Sequence, residues 1–205
     1  QRDTREIRPD IVCYGARLWE SQAAVVQARI DGADPLKRFF FRLLMPIGYK
    51  MADLKYRKQK PSFFLKIVYA LADLSLFRPL RNSLGLSNAR ICYTTGAMLS
   101  PDAFRFYHAL NLPLKSLYGT TEGGALTGAK NDDIDLETVG PAHYGAEVRI
   151  TEKGEIVCRQ PGIFVGYYKD PEKTGEVLKD GWFYTGDNGF IRSDGHIVFV
   201  DRVKD

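Results

Sequence analysis

Hydrophobic residues recur at helical spacing through the first part of the chain. Between Val12 and Leu86, segments such as WESQAAVVQARI, DPLKRFFFRLLMPIGYKM and SFFLKIVYALADLSLFRPLRNSLG place apolar side chains three and four positions apart. This spacing predicts amphipathic helices. The last segment ends in Leu84-Gly85, and a glycine after the last periodic residue is typical of a helix end. The first part of the chain is therefore predicted to be mostly helical.

The pattern changes to short strands from Ala89. ARICYTTGA predicts a buried strand that runs into a loop, and LPLKSLYG predicts a second strand. Between them, SPDAFRFYHALN predicts a helix with Ser100 as its N-cap and Pro101 at its first position. Strand, helix and strand in this order predict two parallel strands joined by a right-handed crossover.

Strands and turns alternate in the last part of the chain. AEVRI, EIVCR, GIFVGYY, GWFYTG and HIVFV are separated by stretches rich in Gly and Asp, a pattern that predicts a small antiparallel sheet or barrel beside the α/β part. The predicted division has three parts: a helical region over 1–88, an α/β part over 89–134 and an antiparallel β part over 135–205.

The composition indicates a globular chain, with 44% hydrophobic and 12% aromatic residues. No apolar run approaches the roughly 18 residues of a membrane span, and no basic-then-apolar leader begins the chain. Gln1 in place of Met indicates a cut in a longer chain. Cys13, Cys92 and Cys158 lie far apart and share no metal-ligand spacing with the histidines. A reducing, cytoplasmic location is therefore expected.

Charge is distributed unevenly along the chain. Residues 1–90 hold 17 Lys and Arg against 8 Asp and Glu, a net charge of +9, whereas residues 91–205 hold 12 against 17, a net charge of −5. The densest basic stretch, residues 49–60, follows the apolar FFFRLLMPIGY. It fits a solvated helix end, and it also fits peripheral contact of residues 36–60 with an anionic membrane surface. Nucleic acid is not expected as a partner, because the second half is acidic and carries no nucleic-acid motif.

Two glycine-containing loops are predicted to follow neighbouring parallel strands, TTGA at 94–97 and YGTTEGG at 118–124. Ligands gather at the carboxyl ends of parallel strands, so we expect both loops to line one crevice. Glycine lets a ligand approach the backbone closely, and the two loops supply Gly96, Gly119, Gly123 and Gly124.

The other side chains of YGTTEGG suit a phosphorylated ligand with a planar base. The hydroxyls of Thr120 and Thr121 can donate to phosphate oxygens, and the ring of Tyr118 offers a stacking face. Glu122 would repel a phosphate unless a cation stood between them, and Mg²⁺ commonly uses one or two carboxylates together with substrate phosphates. Taken alone, the cluster also fits a plain turn or a helix start capped by Thr120 or Thr121.

Five motifs in a fixed order carry a family resemblance: YTTGAMLS at 93–100, YGTTEGG at 118–124, GEIVCRQPGIFVGYYKDPEKT at 154–174, GWFYTGD at 181–187 and DRVKD at 201–205. Together they resemble the adenylate-forming superfamily of acyl-CoA synthetases, luciferases and adenylation domains. The resemblance extends over the whole chain. Long-chain acyl-CoA synthetases place a characteristic segment ahead of a helical insertion. That segment is similar to GARLWESQAAVVQARI, and the insertion is similar to the helical region that follows it.

The resemblance implies a fold class and a reaction. The fold would be part of a parallel α/β subdomain with a helical insertion, followed by a small antiparallel β subdomain that ends at an interdomain hinge. The reaction would be that of an acid-thiol ligase, in which a fatty acid and Mg²⁺-ATP give an acyl-adenylate and coenzyme A then displaces AMP. Related alternatives are an adenylating enzyme for aryl or amino acids and a non-catalytic module that binds nucleotide or docks on a membrane.

Site roles follow from the resemblance only where residues match the family motifs. The roles it implies are adenine contact for Gly96 and Ala97, adenine stacking for Tyr118, α-phosphate contact for Thr121, Mg²⁺ for Glu122, ribose hydroxyls for Asp187, ribose and phosphate for Arg202, and the hinge for Lys204. Gly119 and Thr120 complete the expected nucleotide-binding set. Thr121 and Glu122 are the implied catalytic positions.

Some of these residues also have readings that involve no ligand. Asp187 fits a cap of the turn Asn188-Gly189, and Arg202 fits a surface pair with Asp201 or Asp205. His108 lies inside the predicted helix FRFYHALN, where an ordinary helix residue is the better interpretation.

The chain also departs from the family pattern. The glycine-, serine- and threonine-rich phosphate loop and the C-terminal domain with its catalytic lysine are absent from these residues. Met98 stands where many relatives have proline, and Thr95 replaces a common glycine. The chain is therefore expected to be the middle part of a larger synthetase and to be inactive alone.

Overall fold

The computed structural model describes residues 2–131 and 133–202. They divide into two compact units, Gln1–Leu114 and Lys115–Asp205, and each unit is described by itself. The division into three parts that the sequence predicts remains a prediction. The two compact units are defined by contacts within each unit, and the three predicted parts by role.

Six α-helices form most of the first unit, as the apolar spacing predicts. A π-helical segment, Asp73–Phe77, joins the fourth helix to the fifth without a break. In chain order the helices are α1 Arg2–Ile7, α2 Ala16–Asp31, α3 Pro35–Tyr56, α4 Phe63–Ala72, α5 Arg78–Leu84 and α6 Pro101–Ala109. None of the helices within the described ranges combines the length and apolar character needed to cross a bilayer.

Local capping chemistry sets the ends of these helices. The side chain of Ser100 accepts a hydrogen bond from the backbone N–H of Ala103 at 3.4 Å, and Pro101 opens α6, as predicted. Asp34 caps α3 in the same way. Gly85 ends α5 with a φ of 77°, a left-handed conformation that glycine adopts without strain.

The helical reading misses one strand. Residues Ile11–Gly15 form β1, which pairs in parallel with β2, Ile91–Thr95. The run IVCYG is too short to separate a buried strand from a helix start by periodicity, and its strand character depends on a partner about 80 residues away. The strand predicted from LPLKSLYG is present as β3, Leu114–Ser116, and the strand order is β1-β2-β3.

The core of the first unit is aromatic and tightly hydrogen-bonded. Trp19 is fully buried, and its indole N–H donates to the carbonyl oxygen of Tyr93 at 3.1 Å. The Tyr107 hydroxyl donates to the carbonyl oxygen of Trp19 at 2.6 Å, with the two rings edge to face at 4.8 Å. These bonds satisfy the polar tips of two large buried side chains, so the rings can pack without an energetic penalty.

An antiparallel sheet forms most of the second unit, as predicted. Its strand order is β10-β9-β7-β6, with β8 paired to β9. The strands are β6 Glu147–Ile150, β7 Glu155–Arg159, β8 Leu178–Lys179, β9 Trp182–Ile191 and β10 Ile197–Arg202, and a separate hairpin consists of β4 Gly119–Thr120 and β5 Gly124–Ala125. The core under the sheet contains Tyr118, Leu126, Val139, Ile156, Cys158, Phe183 and Ile197.

The strand predicted from GIFVGYY is wrong. Residues 162–168 form a loop with an isolated bridge between Tyr167 and Asp170. The loop leads into α7, Pro171–Val177, which Asp170 caps by accepting from the backbone N–H of Lys173 at 2.9 Å. Ile163 and Phe164 pack against the core from this loop. Their apolar character therefore reflects contact with the core and does not indicate a half-buried strand.

Candidate functional site

YGTTEGG folds into a tight β-hairpin. Gly119 pairs with Ala125 and Thr120 with Gly124, and the Thr120 hydroxyl accepts from the backbone N–H of Gly123 at 2.8 Å. This geometry replaces the helix start considered for the isolated sequence. A Cβ on Gly119 would overlap the carbonyl of Gly124, so the hairpin requires glycine there.

The hairpin tip presents Thr121 and Glu122. Thr121 is exposed, and Glu122 is half-buried. The carboxylate oxygen Oε1 of Glu122 accepts from the Tyr167 hydroxyl at 2.9 Å, and its backbone carbonyl accepts from the N–H of Phe164 at 2.8 Å. Backbone and side chain of Glu122 are therefore both held by the loop that precedes α7.

A buried hydrogen bond joins Tyr118 to Asp187. The Tyr118 hydroxyl donates to Oδ2 of Asp187 at 2.7 Å. Burial raises the pKa of the Tyr118 phenol far above its usual value, so the hydroxyl remains a donor. The ring is 8% exposed and lies in the core against Phe199, with centroids 5.9 Å apart.

Asp187 lies within strand β9, which excludes the reading of a turn cap. Its side chain is buried, and the adjacent Thr185 hydroxyl accepts from its backbone N–H at 3.1 Å. Among the described residues, its second oxygen, Oδ1, has no hydrogen-bond partner. The Nε of Arg202 lies 3.4 Å from Oδ1, which is ion-pair distance without hydrogen-bond geometry. Buried polar atoms are rarely left without a hydrogen bond, so this oxygen calls for a donor, and a ligand hydroxyl is one.

Arg202 brings an exposed positive charge to the same place. It lies in β10, opposite Asp187 in the antiparallel register of β10 and β9. Its side chain is 81% exposed, so the guanidinium can move toward an anionic ligand. Of the two surface partners considered for Arg202, Asp201 accepts from its backbone N–H at 2.8 Å, and Asp205 lies outside the described residues.

The TTGA loop belongs to the first unit. Thr94 is buried at the end of β2, and Gly96 and Ala97 are exposed in the loop that follows. Gly96 has a φ of 81°, with no atom near the position of a Cβ. The side-by-side arrangement of this loop with YGTTEGG remains a prediction, and Lys204 lies outside the described residues.

The residues of the hairpin fit a magnesium ion that is shared with a nucleotide. No cluster of three or more His, Cys, Asp or Glu suited to a metal occurs in the described part of the chain, so a protein-only cage is not formed there. One carboxylate at an exposed hairpin tip, beside a hydroxyl for phosphate, matches the way Mg²⁺ uses a single carboxylate with phosphates and waters.

Sequence reasoning missed the residues that hold the hairpin from outside. The side-chain amide of Gln160 donates to the carbonyl oxygens of Gly123 and Ala125. His143 Nε2 lies 2.5 Å from the same carbonyl of Ala125. Gln160 and Tyr167 lie in one of the five motifs, which was the available signal, but their contacts cross 35 to 45 positions of sequence.

Comparisons with known proteins agree with this geometry. Residues 40–168 match the AMP-binding enzyme family. The long chain acyl-CoA synthetase 1 of Arabidopsis thaliana is 33% identical over an alignment of 219 residues that covers 98% of this chain and 32% of the plant protein. The chain thus spans about a third of the length of that relative.

Solved structures give the same family. ATP-bound MatB from Rhodopseudomonas palustris matches with a TM-score of 0.55 and 29% identity over 68% of this chain and 30% of that one. A malonyl-CoA ligase with methylmalonyl-CoA and AMP bound matches with a TM-score of 0.53 and 27% identity over 66% of this chain and 32% of that one. The mixed α/β architecture is therefore that of part of an adenylate-forming enzyme. The chain belongs to the AMP-binding family of adenylate-forming enzymes and is similar to its long-chain acyl-CoA synthetases.

Proposed function

We propose that this chain supplies the adenine, ribose and magnesium part of an ATP-dependent fatty acyl-CoA ligase. The observation that carries the proposal is the buried Tyr118–Asp187 pair, which leaves one carboxylate oxygen of Asp187 without a hydrogen-bond donor. A ribose hydroxyl is a neutral donor of the right kind for that oxygen. Related proteins whose structures hold ATP or AMP and a coenzyme A thioester support the choice of ligands.

The reaction has two steps. A carboxylate oxygen of the fatty acid bonds to the α-phosphorus of ATP, and the bond from that phosphorus to the pyrophosphate oxygen breaks. The sulfur of coenzyme A then bonds to the acyl carbon, its proton passes to solvent, and AMP leaves with the former carboxylate oxygen. Neither step needs a covalent bond to this chain, so its residues act by positioning and by charge stabilisation.

Each site residue then has a defined task. Oδ1 of Asp187 accepts a hydrogen bond from a ribose hydroxyl. The exposed guanidinium of Arg202 contacts the ribose and the phosphate. Thr121 donates to the α-phosphate from the exposed hairpin tip. Glu122 holds Mg²⁺, which when bound neutralises phosphate charge. Gly96 and Ala97 are proposed to contact the adenine, and Tyr118 to meet it with the 8% of its surface that is exposed. Lys204 is proposed as the hinge.

The substrate is proposed to be a long-chain fatty acid. The support is the helical first unit and the similarity to a synthetase named for long chains. The alternative, an aryl or amino acid adenylated by the same chemistry, would use the same nucleotide residues. A panel of acids in ATP–pyrophosphate exchange by the full-length protein that carries this chain separates the two, and we expect exchange with long-chain acids only. Exchange with none of the acids would instead favour a non-catalytic nucleotide-binding module.

We also propose that the first unit docks on an anionic membrane surface. The start of α4 exposes two adjacent rings, Phe63 at 80% and Phe64 at 74%. Apolar side chains continue along the same face at Ile67, Leu71 and Leu74, all exposed. Residues 50–66 around this start contain six Lys and Arg and a single acidic residue. Exposed rings flanked by cations suit the interface of a bilayer with negative headgroups.

Vesicle binding tests the docking surface in the full-length protein. Phe63→Ser with Phe64→Ser should weaken binding to vesicles that contain phosphatidylglycerol by roughly tenfold or more, because two rings leave the interface. The matched control replaces two exposed rings of the second unit, Tyr144→Ser with Tyr168→Ser, and should leave binding unchanged. Equal binding by all three proteins would exclude this surface. A structure of the full-length protein in which other residues cover this face of α4 would exclude it as well.

A further inference from the structure

Residues 160–174, which we name the brace, contact the catalytic hairpin at several points. Gln160 donates to two hairpin carbonyls, Phe164 donates its backbone N–H to the carbonyl of Glu122, and Tyr167 donates its hydroxyl to the carboxylate of Glu122. The brace belongs to one of the five motifs, yet neither adenine nor phosphate contact explains why it contains two adjacent tyrosines. Its hydrogen bonds to the backbone carbonyl and the carboxylate hold Glu122 in position.

The Tyr167 side chain is itself held in place. Its backbone N–H donates to the Thr174 hydroxyl at 2.9 Å, and that hydroxyl donates to the carbonyl of Asp170 at 2.7 Å. The Phe164 ring packs edge to face against the Tyr167 ring with centroids 5.0 Å apart, and Phe164 packs in turn on the buried Phe183 at 5.6 Å. The phenol is therefore anchored to the core of the unit through ring contacts.

A phenol donating to a single carboxylate oxygen fixes the direction of the carboxylate. Oε1 of Glu122 takes the hydrogen bond from Tyr167, so Oε2 is the oxygen left to face a cation. A freely rotating glutamate at a hairpin tip would have to be ordered when the ion binds, and ordering a side chain reduces affinity.

We infer that Tyr167 is a positioning residue that orients the Glu122 carboxylate for a divalent cation bound with the nucleotide. This inference rests on the proposed function, since Glu122 must hold the cation. Tyr167 itself does not touch the ion or the reacting atoms. Its neighbour Tyr168 points away, with the side chain 87% exposed, and offers a control of the same chemistry one position along.

The test measures Mn²⁺ binding to the full-length protein in the presence of a non-hydrolysable ATP analogue, by electron paramagnetic resonance. Tyr167→Phe should raise the apparent Kd for Mn²⁺ about tenfold, the size expected for a hydrogen bond to a charged group. Tyr168→Phe should change it less than about twofold. In steady-state kinetics Tyr167→Phe should raise the Mg²⁺ concentration for half-maximal rate, and saturating Mg²⁺ should restore most of kcat.

The outcomes separate the two proposals. If Glu122→Ala weakens Mn²⁺ binding while Tyr167→Phe does not, the positioning role is wrong and the role of Glu122 stands. If Glu122→Ala itself leaves Mn²⁺ binding unchanged, the metal site is misplaced and both proposals are overturned. Thr174→Val offers a second route, because it releases the backbone of Tyr167 and should weaken Mn²⁺ binding in the same direction.

Discussion

At the scale of single residues, the proposed nucleotide site depends on two buried side chains, Tyr118 and Asp187. Tyr118 remains a neutral donor because burial raises the pKa of its phenol, and it therefore occupies one oxygen of Asp187. The other oxygen has no hydrogen-bond partner among the described residues, and leaving a buried acceptor unsatisfied costs about 1–3 kcal/mol. Under the proposed function, a ribose hydroxyl that donates to this oxygen would recover that free energy.

A second buried residue makes the stability of the first unit depend on pH. Burial lowers the pKa of His108 to about 4, below the value of roughly 6.5 in an unfolded chain. Between these values the unfolded chain binds more protons than the folded one, so stability falls as pH decreases through this window. The full shift corresponds to on the order of 3 kcal/mol.

Urea unfolding of the chain between pH 4 and 7 checks this. His108→Gln should remove most of the loss of stability on acidification, although a buried amide lowers stability at every pH. The control His143→Gln, in the second unit, should keep the wild-type slope. Identical pH slopes for wild type and His108→Gln would show that His108 does not cause the acid sensitivity.

The sequence proposes site residues only where a motif names them. Glu122, Asp187 and Arg202 were reachable because each lies in a short motif at a fixed place in the order of five. Tyr167, Gln160 and the burial of Asp187 were not, because hydrogen bonds across 35 or more positions leave no local pattern. His108 was correctly read as a helix residue, but the burial that lowers its pKa was invisible.

At the scale of elements, a close helix contact holds α3 against its neighbours. A Cβ on Gly48 would lie 2.9 Å from both the Cβ of Ala109 and the Cζ of Phe77, and 3.0 Å from the carbonyl oxygen of Ala109. Real Cβ atoms do not approach other heavy atoms so closely, so the helices must separate to admit a methyl group. The glycine is therefore required by packing against α6, even though glycine weakens a helix.

Gly48→Ala should destabilise the chain by about 1–3 kcal/mol, because the strain of overpacking exceeds the gain in helix propensity. The matched control is Gly175→Ala in α7, where a Cβ meets nothing within 4 Å. That change should be neutral or stabilising by up to about 1 kcal/mol. Urea midpoints of the two variants measure the difference, and equal effects would contradict the close-contact account.

Elements with strong local signals were predictable from sequence. Helices α2 to α6 follow from apolar spacing, with the predicted Ser100 cap for α6, and strands β6 and β7 follow from the pattern of strands and turns. Strand β1 was missed because its partner lies about 80 residues later. Residues 162–168 were predicted as a strand because apolar side chains of a loop can pack in a core just as those of a strand do. Local periodicity does not record either kind of long-range contact.

At the scale of the whole molecule, charge and chemistry fall in different parts of the chain. The basic half, with its net charge of +9, contains the exposed apolar face of α4, and the acidic half, with −5, contains Glu122 and Asp187. The order of five motifs predicted the superfamily, which the comparisons confirm. The predicted side-by-side arrangement of the TTGA loop and the hairpin stays a prediction.

The most direct test of the account is ATP–pyrophosphate exchange by the full-length protein with a long-chain fatty acid and Mg²⁺. Wild type should exchange only when the acid is present. Glu122→Ala should lower the rate by roughly a hundredfold, the loss typical of removing one charge-stabilising contact. The control Glu152→Ala, in an exposed turn, should leave it unchanged. Exchange by Glu122→Ala at the wild-type rate would contradict the central claim that this hairpin holds the metal and nucleotide.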